Sequence, residues 1–166
     1  IPSTISFRNN ASALKNSEFV DSEIITLLDK GCIQIVGTKP HIVNPLSVKE
    51  NRSGKLRLIL DLNHVNQFLY KHKFKMEDIS VARSVLEPGS HTFSFDIKSA
   101  YHHVEIHKDY QTYLGFQWYH KGKDTYFVFS VLPFGLSTAP YLCTKICKPL
   151  VTKWRSQGIR CLYIYR

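Results

Sequence analysis

The chain lacks most of what marks a secreted, membrane-spanning or disordered protein. It has 4 cysteines, Cys32, Cys143, Cys147 and Cys161, and no Cys-x-x-Cys pair among them. Cys143 and Cys147 lie one helical turn apart, while Cys32 and Cys161 fall in apolar, strand-like runs. That spacing predicts buried free thiols in a reducing compartment, not a zinc site or a disulfide framework. No apolar run approaches the roughly 20 residues that cross a bilayer, and no signal-like start is visible. An intracellular protein, in cytoplasm or nucleus, is expected. With 8 Gly and 7 Pro in 166 residues and 43% hydrophobic content, the composition excludes a low-complexity chain and fits a folded globule. Neither internal repeats nor biased segments occur. The length suits one domain with a real core, or two small lobes sharing one. The start at Ile1-Pro2 and the stop within the apolar run Leu162-Tyr163-Ile164-Tyr165 predict a piece of something longer.

Acidic residues are also scarce. There are 13 Asp and Glu against 22 Lys and Arg, a formal charge of +9 with pI about 9.4. Such a surface attracts polyanions, and nucleic acid is the commonest. An anionic membrane is the alternative. It ranks lower because no basic amphipathic helix with a strong apolar face is present, so no membrane partner is expected.

Residues 1–15 are polar and aperiodic and read as an extended arm. Asn16 or Ser17 caps a helix to about Lys30, with Phe19, Val20, Ile24, Leu27 and Leu28 as its buried stripe and Gly31 ending it. Residues 32–36 and 42–48 read as strands, the second broken at Pro45. After a turn over residues 49–54, Lys55 to Leu62 alternates. Leu56, Leu58, Leu60 and Leu62 face one way; Lys55, Arg57, Ile59 and Asp61 face the other. The result is a hairpin with a basic tip and outer face, which as it stands fits a merely solvated face. It also fits a grip on phosphates by Arg57 with Lys55, and with Lys49 or Arg52, since the planar guanidinium pairs phosphate oxygens two at a time.

Lys71-His72-Lys73-Phe74-Lys75 is basic with an aromatic inside it, suited either to a nucleic-acid backbone or to plain solvent exposure. Residues 77–86 read as a helix closed by Pro88-Gly89. Thr92 to Ile97 then reads as a strand, with Phe93 and Phe95 on one face and Ser94 and Asp96 on the other. Asp96 near that strand's end can hold a divalent cation, or simply cap the next turn. His102 and His103, in extended geometry, face opposite ways and do not share an ion. Residues 112–119 and 125–131 predict two aromatic-rich strands around a basic loop. A kinked loop at Leu132-Pro133-Phe134-Gly135-Leu136 leads to a helix from Ser137 or Thr138 to about Gln157, with Leu142, Ile146, Leu150 and Trp154 as its buried stripe. The stretch fits any capped amphipathic helix; it also fits a site where Phe134 and Gly135 let a base pair lie flat against the loop, since Gly has no side chain to obstruct it.

Four of these stretches, in order, resemble the reverse transcriptase family. Gly54-Lys55-Leu56-Arg57-Leu58-Ile59-Leu60-Asp61-Leu62 with Asn66 resembles its fingers motif. Phe95-Asp96-Ile97-Lys98-Ser99-Ala100-Tyr101 resembles its first palm motif, and Leu132-Pro133-Phe134-Gly135-Leu136-Ser137-Thr138-Ala139-Pro140 its second. Tyr163-Ile164 resembles the opening of Tyr-x-Asp-Asp. The flavour is similar to retrotransposons of the DIRS-like and gypsy-like branch.

The resemblance implies an α+β right-hand polymerase, cut before the thumb. Fingers are expected at residues 1–74 and 104–134. A partial palm, an antiparallel sheet packed on helices, is expected at 75–103 and 135–166, the whole interwoven as one folding unit. The implied activity is RNA-directed DNA synthesis on a template-primer duplex from deoxynucleoside triphosphates, with two Mg2+ ions about 3.5–4 Å apart. Asp96 and the carbonyl of Ile97 are implied as metal ligands, and Asp96 as the catalytic carboxylate. Arg57 matches the family's triphosphate contact. Tyr101 matches the position beneath the sugar that excludes a 2′-hydroxyl. Lys55, Phe134 and Gly135 complete the expected nucleotide site, with Lys71, Lys73 and Lys75 on nucleic acid. Tyr165 and Arg166 stand where the family has two aspartates. A phenol is neutral at pH 7 and a guanidinium repels cations. This chain is therefore expected to bind metal weakly and to be inactive by itself. The alternative is a non-catalytic nucleic-acid-binding remnant.

Overall fold

The computed structural model describes residues 2–74, 77–87, 89 and 91–163. The expectations resting on Lys75, Pro88, Ile164, Tyr165 and Arg166 lie outside the described residues. The architecture is α+β, as read from the sequence.

The first fifteen residues are not an arm. They form β1 (Ile5–Ser6) and α1 (Ala11–Lys15), with Ala13 buried. Polar composition concealed this because β1 is held by long-range pairing, running parallel to β3 (Ile42–Val43), and not by its own periodicity. The predicted first helix is α2 (Ser17–Asp29), which buries Val20, Ile24 and Leu27. Its cap differs from expectation: Asn16 makes no side-chain cap bond, and its Nδ2 donates instead to Ser12 O at 2.8 Å. Gly31 follows at φ +67°, a left-handed turn that Gly adopts without steric cost.

β2 (Ile33–Val36) follows α2. Pro45 divides the next apolar run into β3 and β4 (Leu46–Glu50), because proline has no N–H for a ladder. β5 (Leu56–Leu60) returns antiparallel to β4, with Leu46 opposite Leu60 and Lys49 opposite Arg57. Short helices α3 (Asn63–Asn66) and α4 (Ile79–Val85) come next. Ala100–His103 is a 3-10 turn, and α5 (Lys108–Gln111) is a single turn the sequence pattern did not reveal.

β6 (Gly115–His120) and β7 (Lys123–Phe129) form a tight hairpin. Lys121 and Gly122 sit at φ +50° and +83°, the two left-handed residues a two-residue hairpin turn needs. The main sheet has the order β1-β3-β6-β7-β2, with β1, β3 and β6 parallel and the other pairs antiparallel. Its core is aromatic and β-branched. Phe116 and Phe127 stack at 5.0 Å, both fully buried, beside Ile24, Ile42 and Leu132. Asn44 is buried in the β3–β6 seam and donates from Nδ2 to Tyr113 O and Gly115 O, at 3.0 and 2.9 Å.

Two expectations for the second half fail. Residues 92–97 form no strand, and Phe93 and Phe95 are 90% and 67% exposed. More broadly, no strand occurs among the described residues of 75–103 and 135–166, so the expected palm sheet is not seen there. The alternation at 92–97 is genuine, but a strand is stable only beside a partner, and no described segment pairs with it. The last helix, α6 (Ala139–Ser156), does form, yet it buries Ala139, Cys143 and Val151. Leu142, Ile146 and Leu150 are exposed and Trp154 half-buried. Helical spacing fixes which residues share a stripe; the chain's packing decides which stripe faces inward.

Candidate nucleotide and nucleic-acid site

The β4–β5 hairpin places its odd-numbered residues on the outer face. Lys49 and Arg57 lie directly opposite each other there, and both are exposed. Like charges in that relation repel. Among the described residues no carboxylate pairs with Lys49, Lys55 or Arg57. The tip is well ordered by Asn51, whose Oδ1 accepts from Ser53 N and Lys55 N, both at 3.0 Å. A rigid ribbon with unneutralised cations is suited to receive an anion.

A cleft of about 210 Å³ runs from this face to the loop after β7. Ser47, Lys49, Ile59, Asp61, Asn66 and Gly135 are among its lining residues. Gly135 has φ +97°, and a Cβ built on it would lie 3.4 Å from Leu60 O, so the loop packs closely on the end of β5. Asn66 bridges the two parts. Its Nδ2 donates to Gly135 O at 2.9 Å and its Oδ1 accepts from Ser137 N at 2.8 Å. Asn66 belongs to the first motif in the sequence, but nothing in the pattern assigned it a role. Lys49 opposite Arg57 was recoverable by counting symmetrically from the hairpin tip.

Phe134 is 51% exposed beside this cleft, and its ring lies 5.2 Å from that of Tyr101 and 5.3 Å from that of His102. Tyr101 is only 4% exposed and packs in the main core. Burial, followed by the charges of Lys30 and His103, holds the His102 ring below the usual imidazole range. His102 and His103 share a 3-10 turn instead of extended backbone, and His103 Nε2 contacts Lys98 O at 3.2 Å. Of Tyr101, Phe134 and Gly135, the glycine lines the hairpin's cleft, Phe134 precedes it in the chain, and Tyr101 meets Phe134 from the core.

Asp96 and Ile97 are placed differently. Both are exposed in the irregular stretch that replaces the expected strand. That stretch runs beside the end of α6, where Phe95 meets Trp154 edge-on at 6.1 Å. Among the described residues no group of three or more His, Cys, Asp or Glu is arranged to hold a metal ion. With Asp96 the one carboxylate of the palm motifs, and Tyr165 and Arg166 in the sequence where acids are expected, the donors present do not fit a pair of divalent cations.

Lys71 and Lys73 are exposed. His72 between them stacks on Tyr141 of α6 at 4.0 Å with an interplanar angle of 7°, and Phe74 meets the same ring edge-on. Lys145 Nζ lies 5.6 Å from the Tyr141 centroid, a cation–π contact. Further along α6, Tyr163 Oη lies 3.5 Å from Cys143 Sγ, and burial pushes the phenol above its ordinary range. Tyr163 N also donates to Glu77 Oε2, the carboxylate that pairs with Arg155 at 2.7 Å.

The fold thus sets the basic hairpin, through Lys49, across one cleft from the glycine of the loop after β7. Residues 48–165, well over half the chain, match the family model for reverse transcriptase (RNA-dependent DNA polymerase), and the chain belongs to that family. It is 34% identical over 96 residues to the genome polyprotein of Petunia vein clearing virus (isolate Shepherd), covering 58% of this chain. It is 26% identical over 139 residues to the Pol polyprotein of Equine infectious anemia virus (isolate 1369), covering 79%. The chain spans 4% and 12% of the lengths of those two proteins.

Proposed function

We propose that this chain is the nucleotide- and template-binding part of an RNA-directed DNA polymerase from a retrotransposon of the DIRS-like or gypsy-like branch, working inside the cell. Its fingers comprise residues 1–74 and 104–134, and its partial palm residues 75–103 and 135–166. The incoming deoxynucleotide lies with its triphosphate on Arg57, Lys49 and Lys55 and its base pair against Phe134 and Gly135. Tyr101 backs that wall. Lys71, Lys73 and Lys75 follow a phosphate backbone. The observation that carries this reading is the cross-strand pair Lys49–Arg57. Two unneutralised cations held face to face, with Lys49 lining the cleft, repel each other until an anion sits between them.

The chain alone does not carry out nucleotidyl transfer. Divalent ions in this family hold the triphosphate and activate the primer hydroxyl, and Asp96, which belongs to no group of three or more such donors among the described residues, is a poor donor set for them. A second reading, a binding module without chemistry, is favoured by the α6 surface, where His72, Tyr141 and Lys145 join stacking to charge. The two readings part on one experiment. A labelled RNA–DNA primer-template is titrated with the chain, with and without the matched deoxynucleoside triphosphate. The proposed site predicts tighter binding with the nucleotide, abolished by Arg57→Ala. The pure binding module predicts no nucleotide effect and a salt-sensitive affinity alone. Primer extension in Mg2+ or Mn2+ is expected to yield no product; template-dependent incorporation would refute the inactivity.

A further inference from the structure

Asn66 contacts the glycine loop at two atoms that demand opposite chemistry. Gly135 O can only accept and Ser137 N can only donate, so the orientation of the Asn66 amide is fixed. Aspartate keeps the acceptor and loses the donor. Alanine loses both. Asn66 is itself tied back to the hairpin. Its N donates to Leu62 O at 2.8 Å, and α3, which it ends, begins where Asp61 Oδ1 accepts from Asn63 N at 3.0 Å. Asp61 N in turn donates to Pro45 O at 2.9 Å, at the break that opens β4. These hydrogen bonds, with the short backbone of residues 61–66 between them, link the strand pair bearing Lys49 and Arg57 to the backbone of Gly135. Asn66 and Gly135 also line the same cleft as Lys49.

Resting on the nucleotide site proposed above, we infer that Asn66 is a positioning residue that sets the spacing between the cationic hairpin and the Gly135 wall, and through it the discrimination between matched and mismatched deoxynucleotides. A matched base pair is recognised by its flat, regular outline. A wall at fixed distance from the triphosphate grip admits that outline and excludes a displaced base. When the two hydrogen bonds are lost, the loop can retreat from the hairpin. A displaced base then fits while its triphosphate still reaches Arg57.

The test is anisotropy of a labelled, dideoxy-terminated primer on an RNA template, titrated with the chain in the presence of the matched or a mismatched deoxynucleoside triphosphate. The measured quantity is the ratio of the two tightening effects. Asn66→Asp is expected to lower that ratio about fivefold, the worth of one hydrogen bond, and Asn66→Ala to lower it further. The negative charge that Asn66→Asp introduces weakens both nucleotides alike and cancels in the ratio. A purely structural role would lower the melting temperature and weaken both nucleotides equally, leaving the ratio intact; that result overturns the inference. An unchanged ratio in both variants, with Arg57→Ala still abolishing the tightening, overturns it while the site stands. No tightening in the wild-type chain removes the site and this inference together.

Discussion

Gly115 is the point at which a single added carbon should do most damage. It lies in the β3–β6 seam, opposite Val43. A Cβ there would overlap the Pro40 ring and lie 2.8 Å from Ile42 O. The proline ring has no rotamer by which to swing away, and a backbone oxygen yields only if the strands part. Overpacking of this kind costs about 1–3 kcal/mol. Parting the strands also strains the two bonds that Gly115 O accepts from Asn44, at 2.8 Å from N and 2.9 Å from Nδ2, each worth about 1 kcal/mol. Gly115→Ala is therefore expected to destabilise the chain by about 3 kcal/mol. With a urea m-value of about 2 kcal/mol/M, the unfolding midpoint should fall by about 1.5 M at unchanged slope. Gly37→Ala is the control, since a Cβ at Gly37 meets nothing within 4 Å and its φ is unexceptional. Its midpoint should move by less than about 0.3 M. Equal midpoints for the two variants would show that the seam gives way easily, and the close packing of β3 on β6 would not be what positions β4 and its Lys49.

Three further outcomes are expected. Trp118→Phe removes the bond from Nε1 to Asp21 Oδ1 at 2.7 Å, which ties β6 to α2. A loss of about 1–2 kcal/mol by urea unfolding is expected, and a neutral result would make that bond dispensable. The lowered pKa of His102 means that the folded chain prefers its neutral ring. Above the ordinary value of 6.5 this is without effect; as pH falls through 6.5 the unfolded chain protonates first and stability drops. The melting-temperature difference between about pH 7.5 and about pH 5.5 should therefore be smaller in His102→Asn than in the wild type, and equal differences would contradict the assignment. Burial raises the thiol pKa values of Cys32 and Cys143. Iodoacetamide at neutral pH followed by peptide mass mapping should label Cys147 and Cys161 well before them.

The hairpin was legible because its signals are local. Alternation from Lys55 to Leu62, a break at Pro45 and a Gly54 turn left little choice of register, and Arg57 with its cationic neighbours followed. The helix from Ser17 was equally plain, its apolar stripe ending at a glycine. What escaped detection was decided by distant partners. β1 depends on Ile5 reaching Ile42, and α1 buries only Ala13, so neither left a periodic trace. On α6 the larger apolar residues Leu142, Ile146 and Leu150 outweighed Ala139, Cys143 and Val151 in any hydrophobic pattern, yet the smaller residues allow the closer packing. The expected strand at 92–97 had the right alternation and no neighbour. In the candidate site, the kinked loop that holds Gly135 was readable from its proline and glycine. The latch from Asn66 was not, because it joins residues 69 apart through one side-chain amide.

The strand order of the main sheet has a consequence for how the protein is made. β2 leaves the ribosome well before its hydrogen-bonding partner β7, and β3 before its partner β6. The β2–β7 ladder is incomplete, and that edge of β2 is unsatisfied, until Ile33 can pair with the newly emerged Phe129. A nascent chain stalled before that residue should be protease-sensitive throughout its first half and a ready substrate for chaperones.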